Sequence, residues 1–132
     1  MTVTGRCLCG AIRYTISRPL THANICHCSQ CRRQSGHVIA SADAPRAALA
    51  IEGEEELNWF SASPRTKRGF CRICGSHLFW DQEELDVISV NLGPLDAPTG
   101  IQVGNHIFVA DKGDYYEIDD GLLKHDRYPE EQ

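Results

Sequence analysis

Cys7-Leu8-Cys9-Gly10, Cys26-His27-Cys28-Ser29-Gln30-Cys31 and Cys71-Arg72-Ile73-Cys74-Gly75 gather all seven cysteines of the chain into three tight clusters. Thiols one or two residues apart can converge on a single ion, and thiolate sulfur is a ligand that zinc favours. Seven divides into four plus three. A four-thiolate zinc is closed and structural, whereas a three-thiolate zinc keeps one position for water or substrate. Disulfides are the competing reading, but an odd count and a single residue between Cys7 and Cys9 do not permit tidy pairing. Two zinc ions per chain are therefore expected.

The residues that follow each cluster sort the thiols. Cys9 and Cys74 precede glycines, which let the backbone turn through positive φ and aim N–H groups at sulfur. Cys7, Cys9, Cys71 and Cys74 then form a structural site that closes a long loop and couples metal binding to folding. Cys26, Cys28 and Cys31 remain as a catalytic-type site. Three thiolates leave a divalent ion formally negative, a poor activator of water but a suitable trap for a substrate thiol. Arg32 and Arg33 follow Cys31 and would add positive charge, as anchors for carboxylates or as a solvated helix face. Six histidines could supply a fourth ligand: His22, His27, His37, His77, His106 and His125. His27 lies between two ligands and should point away from them on an extended backbone. His37 follows the next glycine and is the strongest candidate to close the site. His37 and His106 are also candidate proton shuttles.

The elements that must position these groups are short. Residues 11–17 alternate Ile12, Tyr14 and Ile16 against Arg13, Thr15 and Ser17, the mark of a half-buried strand. Similar runs fall near 22–27, 37–42, 47–51, 56–61, 67–71, 76–80, 85–92 and 101–109. Ser29 to Ser35 reads as one short helix closed by Gly36, and Pro94 to Pro98 as a turn or a second short helix. Phe70, Phe79 and Trp80 read as core aromatics. One mainly β domain spans residues 1–132, with a core from about 5 to 123, a polar tail over 124–132 and a frayed end at Pro129–Gln132.

With 13 basic and 18 acidic side chains, the net charge is -5. An acidic chain without a long basic stripe is a poor partner for nucleic acid, and Arg65, Lys67 and Arg68 make only a small basic cluster. No apolar run approaches a membrane span, and the N-terminal residues lack the apolar core of a secretory signal. The expectation is a soluble cytoplasmic protein, in a reducing compartment where close-set cysteines are metal ligands.

Taken in order, Cys-x-Cys-Gly, Cys-x-Cys-x-x-Cys-Arg-Arg-x-x-Gly and Phe-Cys-x-x-Cys-Gly resemble the motifs of the glutathione-dependent formaldehyde-activating enzyme family, which also includes centromere protein V. The likeness runs from Gly5 to about Leu123 and takes in His106-Ile107-Phe108-Val109, Lys112 and Tyr116-Glu117-Ile118. It implies stacked antiparallel sheets of the β-tent type. It also implies a structural zinc on Cys7, Cys9, Cys71 and Cys74, and a catalytic one on Cys26, Cys28 and Cys31. The activity it implies is carbon–sulfur lyase chemistry, the reversible joining of glutathione and formaldehyde as S-hydroxymethylglutathione. A small-molecule thiol is the expected partner. The centromere-protein branch implies the alternative, a zinc-stabilised module that binds a protein and catalyses nothing. A redox sensor built on three oxidisable thiols is the third reading.

Overall fold

The alternation within residues 11–17 builds the smaller of two sheets. The computed structural model describes residues 2–129. In it β2 (Arg13–Ile16) buries Tyr14 and Ile16 and exposes Arg13 and Thr15, the period-two pattern of a strand with one wet face. It lies between β1 (Val3–Arg6) and β5 (Leu49–Glu52) in an antiparallel three-stranded sheet.

Eight strands form the larger sheet, in the spatial order β11 (Leu123–Lys124), β10 (Gln102–Ile107), β3 (His22–Cys26), β4 (Ile39–Pro45), β9 (Val87–Asn91), β8 (His77–Gln82), β7 (Thr66–Cys71) and β6 (Leu57–Ser61). Val3, Ile12, Tyr14 and Ile16 meet Ala42, Ala44, Ile88 and Val90 in one buried cluster between the sheets. The Tyr14 and Phe79 rings pack edge-on, 5.0 Å apart at their centroids. Along β4 and β9 the alternate residues Ser41, Asp43, Ser89 and Asn91 line a cavity on the far face. Their register pairs Ser41 with Asn91 and Asp43 with Ser89.

α1 (Ser29–Ser35) is the one α-helix among the described residues and ends as expected, with Gly36 at φ 92° accepting the left-handed cap. Other features differ from the sequence reading. β1 was not expected, because four residues with a glycine carry little strand signal. It forms by pairing with β2 and by holding the 94–96 turn, where Asp96 N–H donates to Thr4 O at 2.8 Å. Of the turn or short helix expected over Pro94 to Pro98 the turn forms, and short 3-10 turns that were not expected stand at Arg46–Ala48, Glu54–Glu56 and Val109–Asp111. Most pairings are antiparallel, but β10 runs parallel to both β3 and β11. The expected polar tail is partly structured. Leu123–Lys124 extends the sheet, His125 N–H donates to His106 O at 2.9 Å, and Phe108 N–H donates to Arg127 O at 3.0 Å. Of the end expected to fray, residues 130–132 lie outside the described residues. No helix among the described residues is long and apolar enough to cross a membrane.

Candidate metal centres and the cavity beside them

The loop after β1 carries Cys7 and Cys9, and the loop after β7 carries Cys74 beside Cys71 at the strand's end. All four sulfurs lie within 4.8 Å of one another. Cys7 and Cys9 Sγ are 3.6 Å apart and Cys9 and Cys71 Sγ 3.8 Å. A tetrahedron with zinc–sulfur bonds near 2.3 Å has edges of about 3.8 Å, so this donor set fits zinc. Gly10 and Gly75 adopt φ of 81° and 79°, the turn each pair requires. Ile12 N–H donates to Cys7 Sγ at 3.3 Å and Cys74 N–H to Cys71 Sγ at 3.5 Å. A hydrogen bond with Ser76 draws the Cys74 thiol down to about 5. Cys7 and Cys71 are buried.

The second centre forms where β3 runs into α1. Cys26 ends the strand, Cys28 caps the helix and accepts from Cys31 N–H at 3.2 Å, and Cys31 is buried in the first turn. Their three sulfurs also lie within 4.8 Å of one another, and no fourth metal-binding donor among the described residues joins them. Hydrogen bonding from Cys26 and then Cys31 pulls the Cys28 thiol down to about 2, with Arg68 adding to the effect. The same sharing, Cys28 first, pushes Cys26 up. The trio thus holds one ready thiolate, and the other thiols must lose protons when a metal binds.

Arg68, from the middle of β7, is the cation at this centre. It is 7% exposed. Its two terminal nitrogens lie 3.6 and 3.7 Å from Cys31 Sγ and donate to Gln34 Oε1 and Gln30 Oε1, each at 3.2 Å. The sequence reading grouped Arg68 with Arg65 and Lys67 in a small basic cluster. Lys67 instead sits over the Trp59 ring at 4.5 Å. Strand alternation separates the two neighbours, and it was the one signal that could have distinguished them.

Arg32 and Arg33, read as carboxylate anchors, do not line the cavity beside the thiols. Helical spacing accounts for this: Gln30, Cys31 and Gln34 share the cavity side, while Arg32 and Arg33 fall 100° and 200° round the helix from Cys31 at about 100° per residue. Arg33 is exposed, and Arg32 is half-buried with its Nε enclosed and unpartnered. His37 does not close the thiol centre. Its Nδ1 meets the Tyr115 hydroxyl at 3.0 Å and its ring stands edge-on to Tyr116.

His27 points away from the thiols, as its place between two ligands requires. Its Nδ1 meets the Tyr116 hydroxyl, its Nε2 meets His106 Nδ1 at 2.9 Å, and His106 Nε2 meets Asp120 Oδ2 at 2.8 Å. His106 is thereby a member of this buried chain and lines no part of the cavity. His22 is exposed, His125 lies in the returning C-terminal segment, and only His77 of the six borders the cavity.

That cavity, about 700 Å³, contains Cys26, Cys28 and Cys31 in its wall. Phe79 and Trp80 contribute aromatic surface, Phe79 from the core itself. Tyr128 and Pro129, from the returning tail, contribute another part of the wall. Tyr128 went unnoticed in the sequence. Burial first, and then the negative thiols, push its phenol up, and its ring packs edge-on against Phe108 at 4.8 Å.

Residues 2–111 match the model of the family described as glutathione-dependent formaldehyde-activating enzyme. A Halomonas elongata protein, named as a candidate glutathione-dependent formaldehyde-activating enzyme, is 28% identical over 136 residues, spanning 90% of this chain and 82% of its own length. The crystal structure of a Rhodobacter sphaeroides protein superposes with a TM-score of 0.63 at 22% identity, covering 92% of this chain and 98% of that one, and has the same fold. The chain belongs to the glutathione-dependent formaldehyde-activating enzyme family.

Proposed function

We propose that the chain is a zinc-dependent carbon–sulfur lyase that reversibly joins a small thiol to a small carbonyl compound such as formaldehyde. One observation carries this reading: three thiols converge, no fourth donor among the described residues joins them, and their sulfurs border a cavity large enough for an organic thiol. The family description supports glutathione and formaldehyde as the first pair to test.

Cys26, Cys28 and Cys31 would hold the catalytic zinc, and Cys7, Cys9, Cys71 and Cys74 the structural one. Zinc at the three-thiol site would supply Lewis acidity that favours a substrate sulfur as thiolate. Arg68 donates to Cys31 and reduces the charge that three thiolates concentrate there. The cavity orients the thiol toward the carbonyl carbon, which converts an encounter in solution into a local reaction. In the forward direction the carbon–sulfur bond forms, the carbonyl double bond opens, and the proton lost from sulfur ends on the new hydroxyl. The reverse direction breaks the same bond and restores thiol and carbonyl. Arg32 and Arg33, given a role in substrate binding by the sequence reading, lie on α1 off the cavity wall, and His37, given one in proton transfer, follows the helix and meets Tyr115, so none of the three is given a step in this mechanism.

The test is exchange between free formaldehyde and its thiol adduct, followed by nuclear magnetic resonance with the zinc-loaded chain and a panel of thiols that includes glutathione. The expected result is acceleration over buffer for at least one thiol, abolished in Cys28→Ser while the four-thiol zinc and the fold persist. Buffer rates across the whole panel, or full activity in Cys28→Ser, would remove the proposal.

A further inference from the structure

The charges around the cavity do not balance. Among the described residues Arg68 is the only Lys or Arg side chain in the wall, and its guanidinium is committed to Cys31, Gln30 and Gln34. Three thiolates on a divalent ion leave one negative charge, which Arg68 offsets. His77 adds no positive charge, because burial and then Arg68 hold its pKa down. Asp43 and Asp111 remain unmatched. The three residues after Pro129 contain no basic side chain. Arg32 and Arg33, the residues best suited to a substrate's carboxylates, are off the cavity wall.

The two carboxylates are spread along the space. Asp111 ends the 3-10 turn that follows Ile107, and Ile107 is a register partner of Cys26. Asp43 lies four residues along β4 from Ile39, the other partner of Cys26, and so about 13 Å further along the sheet. Ser89 Oγ donates to Asp43 Oδ1 at 2.7 Å and fixes that carboxylate. An extended molecule with its sulfur at the trio therefore passes an acidic group near the thiols and another at the far end.

We propose that this site selects thiols whose body is uncharged or cationic, with carboxyl groups absent or masked and an amine able to reach Asp43, over a doubly carboxylated tripeptide such as glutathione. This selectivity rests on the thiol-binding reading above. A substrate carboxylate in this space meets like charge with no counter-ion, and such juxtapositions discriminate strongly between partners. A substrate ammonium meets the opposite charge.

Glutathione and its diethyl ester share one skeleton and differ in two carboxylate charges, so the pair isolates the effect. The zinc-loaded full-length chain is titrated with each by calorimetry at low salt. Sulfur ligation is read separately from the charge-transfer bands of the cobalt-substituted chain. The expected result is binding of the ester at least about tenfold tighter than glutathione, a gap that narrows with added salt. Asp43→Asn keeps the side-chain shape and is expected to reduce the gap about threefold or more. Spectral change with both thiols but equal affinities, or tighter binding of glutathione, overturns the selectivity and leaves the thiol site standing. An ester preference untouched by Asp43→Asn overturns the role given to that carboxylate. No spectral change with either thiol sinks the thiol site itself, and the selectivity with it.

Discussion

Arg68 carries more of the second centre's electrostatics than either arginine the motif advertises. A buried guanidinium that bonds a cysteine sulfur and two amides at once is worth more than an exposed cation, because charge-assisted bonds strengthen out of water. Arg68→Gln removes the charge while leaving a polar group of similar reach. The trio is then expected to hold zinc about tenfold more weakly in competition with a chelator, with the four-thiol site unaffected. An affinity at the trio unchanged from the wild-type chain would show that Arg68 only fills space. All seven thiols were legible as ligands because their spacing alone encodes convergence. Arg68 was not, since its partner thiol lies 37 positions away in the chain.

The elements differ in how openly the sequence states them. α1 was read to its ends, because a C-terminal glycine is a local signal, while its Cys28 cap emerged only in the structure. β1, β11 and the returning tail were missed or called loose. Their polar, short sequences become strands only through pairing partners far along the chain. The Tyr116–His27–His106–Asp120 chain fastens this tail side to the ligand-bearing β3. Its polar atoms meet in series: the Tyr116 hydroxyl with His27 Nδ1, His27 Nε2 with His106 Nδ1, and His106 Nε2 with Asp120 Oδ2. His106→Leu leaves a buried His27 nitrogen unpaired and is expected to cost about 1–3 kcal/mol in denaturant unfolding. An unchanged midpoint would refute that. Burial first, and then the charge of His106, push the His27 pKa down to about 4, against about 6.5 in an unfolded chain. The unfolded state therefore takes up the proton first, so stability falls as pH drops from about 6.5 to about 4 and levels below that. A thermal midpoint indifferent to pH across this window in the wild-type chain would contradict the assignment.

At the scale of the whole molecule, the proposed function divides structure from chemistry between two thiol centres. With zinc on its four thiols, the first centre would tie the loop after β1 to the end of β7 and so link the small sheet to the large one. The three-thiol centre sits at the start of the only α-helix among the described residues, beside the polar face of the large sheet. The layered β architecture was legible from alternation; the cavity was not, because it is assembled from six strands, α1, a 3-10 turn and the returning tail. The decisive measurement is zinc-edge X-ray absorption of the two-zinc chain before and after adding 2-aminoethaneselenol, a cationic selenium analogue of a small thiol. An outside ligand entering one centre of two gives a zinc–selenium shell of about half a selenium per zinc, with sulfur elsewhere. A spectrum unchanged by the selenol, with both zincs already saturated by ligands of the chain, would contradict the account.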